Sequence, residues 1–119
     1  MNLQEIMKKD HFVIVGDTLN KEKYAYKIKE TLLSNGYKVA CVGKELKSLD
    51  EVDFNIEVVD LCINPVKGLE ILKNSSKNIE MVLIQPGAES QEIKDYLDSK
   101  NIPYLEGCAL VGVRLYKNK

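Results

Sequence analysis

Short apolar runs alternate along this chain with longer stretches in which apolar residues recur every three or four positions. His11-Phe-Val-Ile-Val15, stopped by Gly16, has the form of a strand buried on both faces. Residues 20–35 change period. Tyr24, Ala25, Ile28, Leu32 and Leu33 make one helical stripe, Asn20 is placed to cap its amino end, and Gly36 sits where a left-handed terminator belongs. Residues 37–42 read as a second strand that ends in the turn Gly43-Lys44. Residues 45–57 are less regular, with a weak capping-box pattern from Ser48 to Glu51 that suits a short helical turn. Residues 58–63 form a third strand. Asn64-Pro65 then starts a helix, because Asn favours the cap and Pro the first helical position, and this helix is predicted to run to about Lys77. Residues 80–84 are a fourth strand, 85–88 a turn, and 89–100 a helix with Ile93, Tyr96 and Leu97 inward. Residues 102–105 read as a fifth strand, placed at an edge because Pro103 has no amide hydrogen to donate, and Val113-Arg-Leu115 as a sixth.

A β-α-β-α order with short connections demands right-handed crossovers and a parallel sheet covered on both faces. The pattern therefore predicts one Rossmann-like three-layer α/β domain over residues 1–119, with a five- or six-stranded, mainly parallel sheet. The length of 119 residues leaves no room for a second domain of ordinary size. A composition that is 45% apolar and 29% charged supports a core and argues against disorder. With 17 basic against 18 acidic side chains the net charge is −1, which excludes a nucleic-acid binder of the electrostatic type. No run approaches the ~20 apolar residues of a membrane span, and residues 1–9 have no signal-peptide core, so a cytoplasmic protein is expected. Cys41, Cys62 and Cys108 form no Cys-x-x-Cys pair, and His11 is the only histidine. A disulfide framework, a thiolate zinc site and a histidine cluster are all disfavoured.

In open parallel sheets, ligands sit beyond the carboxyl ends of the strands, near the point where strand order reverses. That rule selects Gly16 to Lys21, Gly43-Lys44, Ile63-Asn-Pro65 and the turn from Gln85 to Ala88. Gly16 permits a tight turn and close approach of backbone to a ligand, and the following helix end offers N–H groups to phosphate. The second and third glycines of a dinucleotide fingerprint are missing from Gly16-Asp-Thr-Leu-Asn-Lys21, which disfavours a nicotinamide pyrophosphate held in the usual way. Thr18 either adds a hydroxyl to a phosphate or helps cap the helix. Lys23 either supplies counter-charge or is a solvated lysine. At the end of the second strand an NAD enzyme needs an acidic residue for its ribose; Gly43 and Lys44 stand there instead, a choice suited to a phosphorylated ribose, with Glu45 keeping NAD open. Asn64-Pro65 makes a second helix end, close to the first if strands one and four adjoin. Gln85-Pro86-Gly87 offers an amide and a glycine turn, for an adenine edge or for geometry alone.

The order of these features resembles the small stand-alone CoA-binding proteins of bacteria, whose domain is similar to the CoA-binding domain of succinyl-CoA ligase. The matching pieces are Val13-Ile-Val-Gly16 with its polar loop and Lys23-Tyr24, Gly36-Tyr-Lys-Val39, Val59-Asp-Leu-Cys-Ile-Asn-Pro65, Met81-Val-Leu-Ile-Gln-Pro-Gly87, and Cys108 before Val113-Arg-Leu115. The resemblance implies that coenzyme A lies over Gly16, Asp17, Thr18 and Leu19 and that Lys23 and Lys44 reach its phosphates. It also implies that Asn64, Pro65, Gln85, Pro86, Gly87 and Ala88 line the adenosine or pantetheine path. Two departures stand out: Asp17 puts a carboxylate beside the diphosphate where small residues are usual, and Gly43-Lys44 replaces an Asn-Pro turn.

The expectation is a non-enzymatic module for CoA or acyl-CoA, with no nucleic-acid or membrane partner and with a protein partner or homo-oligomer left open. The alternatives are an NAD(P)-binding oxidoreductase-like domain or subunit that acts with another chain, and an interaction protein with a vestigial pocket. A receiver domain is rejected because Asn64 stands where the phosphoacceptor aspartate belongs. Cys108 suggests, as a minor reading, a mixed disulfide with the CoA thiol.

Overall fold

The computed structural model describes residues 1–117. Five parallel strands, β1 (His11–Gly16), β2 (Lys38–Gly43), β3 (Ile56–Cys62), β4 (Ile79–Ile84) and β5 (Tyr104–Glu106), lie in the order β2-β1-β3-β4-β5. Helices α1 (Leu3–Met7), α2 (Tyr24–Ser34) and α5 (Ala109–Tyr116) cover one face; α3 (Pro65–Lys73) and α4 (Gln91–Ser99) cover the other. This is the expected Rossmann-like α/β architecture, with five strands. No helix among the described residues is long and apolar enough to cross a membrane.

Alternation along the strands builds both cores. Val13, Val15, Val59, Leu61, Val82 and Ile84 pack beneath Leu72, Ile93 and Leu97. Phe12, Ile14, Val58 and Leu83 pack beneath Ile6, Met7, Ile28, Leu32 and Val113. Asp60 lies on this second face, opposite Ile14 and Leu83 in the register of the central strand. It is fully buried, and among the described residues neither carboxyl oxygen has a hydrogen-bond partner. Burial pushes its pKa up to about 8.

Several boundaries differ from the sequence reading. Val113 to Leu115 lie in α5 and not in a sixth strand, because Gly112 lets that helix pack directly on Met7 of α1. α1 itself was not expected. The helix after β1 begins at Tyr24, and Asn20 does not cap it: its Oδ1 accepts the Glu22 N–H in a preceding turn. Tyr24 and Leu33, placed in the apolar stripe, are exposed. α3 ends at Lys73 rather than near Lys77, whose ammonium instead reaches the Val52 and Phe54 carbonyls. α4 starts one residue after Ser90, whose hydroxyl accepts the Ile93 N–H. The predicted capping box from Ser48 to Glu51 is present on a single 3-10 turn.

Candidate functional site

Strands one and four do not adjoin; β1 lies between β2 and β3. Strand order therefore reverses between β1 and β3, and the helices that follow these two strands leave on opposite faces. Their amino ends flank one cleft at the carboxyl edge of the sheet. Glycine is needed here for packing: a Cβ at Gly16 would stand 2.4 Å from the Cys62 carbonyl oxygen. Gly43, at φ +132°, lies directly opposite Gly16 on the other side. Three strand ends thus close to a spacing that side chains would prevent.

The cleft has two lobes that share Asp17, Lys23 and Ile63. One, of about 410 Å³, passes Gly16 and Gly43 and gathers Lys44, Lys47 and Lys67, with Glu70 at its side. The other, of about 450 Å³, is walled by Tyr24, Ala25, Cys62, Pro86 and Ala88, with Asn64 and Gly87 at its margin. Including the shared residues, the first lobe has four lysines against two carboxylates. α2 opens onto the cleft with no side chain among the described residues capping its first turn, so its N–H groups and positive dipole end remain for an anion. α3, by contrast, is capped by Asn64, whose Oδ1 accepts the Lys67 N–H at 3.0 Å.

The residues singled out from sequence separate accordingly. Gly16, Asp17, Lys23, Lys44, Asn64, Pro86, Gly87 and Ala88 come together around the cleft. Asp17 turns one carboxylate oxygen inward, accepting the Leu19 and Asn20 N–H groups at 3.2 Å each, so part of its charge is absorbed by its own loop. The other four lie outside the two lobes. Thr18 is buried, and its hydroxyl donates to Glu45 at 2.5 Å. Leu19 points to solvent, 60% exposed. Pro65 faces a small separate hollow beside Val66 and Ser90. Gln85 is buried, its Oε1 accepting the Ala109 N–H at 2.8 Å and so tying the β4 turn to α5. The turn itself has Gln85 O accepting the Ala88 N–H and Gly87 at φ +91°, the form that Pro-Gly favours.

Ile63, which the carboxyl-edge rule had selected, lines both lobes, whereas sequence reasoning missed Lys47, Lys67 and Cys62 as cleft residues. Lys67 had a usable signal, its place in the first turn after Asn64-Pro65; Lys47 had none. Glu45, the acid that an NAD ribose would need, is engaged elsewhere. Its Oε2 accepts from Thr18 and from Lys29 at 2.9 Å. Burial opposes the charge on Glu45, and the Thr18 hydroxyl and Lys29 ammonium outweigh it, holding the carboxyl below its ordinary value. Cys62 is half-buried, and burial, the Asp60 carboxyl and Cys108 push its thiol up to about 12.

These features define a small parallel α/β domain of the Rossmann-like class with a cationic and apolar cleft at its switch point. A family model described as a CoA binding domain matches residues 10–114, and the chain belongs to that family. A conserved hypothetical protein from Pyrococcus furiosus shares the fold with a TM-score of 0.76 at 27% identity, over 87% of this chain and 98% of that one. A hypothetical protein from Pyrococcus horikoshii OT3 has a TM-score of 0.84 at 21% identity, over 96% and 89%. A structure from Thermus thermophilus has a TM-score of 0.80 at 19% identity, over 96% and 98%. Comparison with curated proteins finds no match.

Proposed function

We propose that this domain binds CoA or an acyl-CoA across both lobes and has no catalytic activity of its own. The observation that carries the reading is the asymmetry of the cleft. CoA has a polyanionic 3′-phospho-ADP end and a long, largely neutral pantetheine arm. The lysine-rich lobe suits the first and the lobe walled by Tyr24, Ala25, Pro86 and Ala88 suits the second. The uncapped end of α2 opens onto the apolar-walled lobe, beside the shared Lys23, where a diphosphate would cross between them. Engagement of Glu45 by Thr18 and Lys29 disfavours NAD, whose ribose would compete for that carboxylate. The non-catalytic reading is supported by His11, at the opposite edge of the sheet with its Nδ1 3.0 Å from the Asn55 carbonyl oxygen, and by the use of Asp17 in its own loop.

The test is native mass spectrometry of the gently purified protein, followed by calorimetric titration with CoA, dephospho-CoA and NAD. CoA is expected to bind tightest, and Lys44→Ala to narrow its margin over dephospho-CoA. Equal affinity of the wild-type protein for CoA and dephospho-CoA would remove the phosphate argument, and tighter binding of NAD would replace it with the dinucleotide reading. Incubation with acetyl-CoA, followed by chromatography, is expected to return the thioester at the rate of a protein-free control.

A further inference from the structure

Cys62 ends β3 at the switch point, and its side chain stands in the wall of the apolar lobe with Ile63, Ala25 and Pro86. Cys108, the cysteine that the sequence brings forward, occupies the cap position of α5 and lines neither lobe. Two residues before Cys62, on the same face of the strand, lies the fully buried carboxyl of Asp60, which has no hydrogen-bond partner among the described residues. Cys108 is within electrostatic reach of Cys62 on that side. A carboxyl without a partner in an apolar core needs a reason. Its neighbour in the cleft wall is a thiol.

We propose that Cys62 is the residue through which the cleft captures a CoA-type disulfide as a mixed disulfide. The proposal rests on the CoA-binding reading: with the phosphates against the lysines, the arm that ends in sulfur enters the lobe that contains Cys62. Thiol–disulfide exchange runs through the thiolate. The Cys62 thiol gives its proton to solvent, and its sulfur attacks the nearer sulfur of the bound disulfide. The old S–S bond breaks as the Cys62–S–S–CoA bond forms, and the second half of the ligand leaves as a thiolate that takes up a proton. The CoA disulfide is the oxidant and no other is needed. Burial, by holding Cys62 protonated, makes it a slow nucleophile toward disulfides met by collision. A disulfide docked in the cleft is presented at high effective concentration and overcomes that handicap. The device selects by binding, where an exposed reactive thiol would select by chance.

The experiment incubates the reduced wild-type protein with CoA disulfide and, separately, with glutathione disulfide, reading adducts by intact mass and non-reducing peptide mapping. The expected result is one CoA per chain on Cys62, formed at a rate that saturates with CoA disulfide and exceeds the glutathione rate at least tenfold. The adduct is expected to be reversed by dithiothreitol, abolished in Cys62→Ser and retained in Cys108→Ser. Modification of Cys108 or Cys41 instead, a Cys62–Cys108 disulfide without adduct, or equal rates with the two reagents would each overturn the proposal. The wild-type peptide map decides the site even if Cys62→Ser fails to fold. Reduced CoA titrated into the reduced wild-type protein separates the two readings: binding without any adduct from the disulfide overturns capture by Cys62 and leaves CoA binding standing, whereas no binding removes both.

Discussion

Replacing Asp60 by asparagine isolates what a buried carboxyl without a partner costs this fold. Asn keeps the shape and polarity of the protonated acid but cannot ionise. In the folded protein, burial raises the Asp60 pKa from 3.8 to about 8, so the native state holds a proton that the unfolded chain releases. Across that window the native state binds more protons than the unfolded state, and stability must therefore fall as pH rises. The slope is about 1.4 kcal/mol per pH unit for one such group, or about 3 kcal/mol between pH 5 and pH 7. That is a large part of the 5–15 kcal/mol by which domains are typically stable. Asp60→Asn removes the slope. Near pH 4 the two proteins are expected to have similar stability, and the variant is expected to gain on wild type steadily up to about pH 8. Urea unfolding followed by far-ultraviolet circular dichroism at pH 5, 6 and 7 measures this as a difference between two chains, in which all other titrations cancel. A stability difference that stays constant with pH would refute the reasoning. A wild-type advantage that grows with pH would show that the carboxylate is ionised and paired.

Two further substitutions probe the strand ends that make the cleft. Gly16→Ala places a methyl 2.4 Å from the Cys62 carbonyl oxygen, a backbone atom that can yield only if β1 and β3 separate. An overpacking loss of about 1–3 kcal/mol is expected in chemical denaturation, together with weaker CoA binding in calorimetry. Asn64→Ala removes the acceptor for the Lys67 N–H and is expected to cost about 1 kcal/mol by thermal or urea unfolding, while Asn64→Ser recovers most of the loss. An Asn64→Ala protein as stable as wild type would mean that Asn64 does not serve α3 as its cap.

The strands β1 to β4 were legible because each is an apolar run with a polar or glycine stop, a pattern set in the three inner ones, β1, β3 and β4, by burial on both faces. What was not legible depended on partners far away in sequence. Val113 and Leu115 look like strand residues, yet the segment is helical because Gly112 and Val113 form the face that meets α1, a contact across more than a hundred residues. α1, five residues long, has too little pattern to announce itself and is held by its docking on α5. At the site, Gly16, Lys23, Lys44 and Asn64 could be found because the carboxyl-edge rule needs only strand ends. Thr18 and Gln85 were placed at the correct edge, but their side chains are taken by Glu45 and Ala109, 27 and 24 positions away. Lys47 and Cys62 become cleft residues only once β1 is known to lie between β2 and β3.

The net charge of −1 conceals how the molecule treats an anion. Acidic side chains are as numerous as basic ones, but two of those near the cleft, though not Glu70, are partly absorbed by internal contacts: Asp17 by two N–H groups of its loop, Glu45 by Thr18 and Lys29. Lys44, Lys47 and Lys67 have no comparable ion pair among the described residues. Field lines from unpaired charges in a concave site are focused there, whereas charges already paired contribute little at a distance. A nearly neutral chain can thus present a positive lobe at one sheet edge. The same pairing explains why an aspartate beside a phosphate-sized space is tolerated: its carboxylate also serves as an acceptor for the loop that shapes the space.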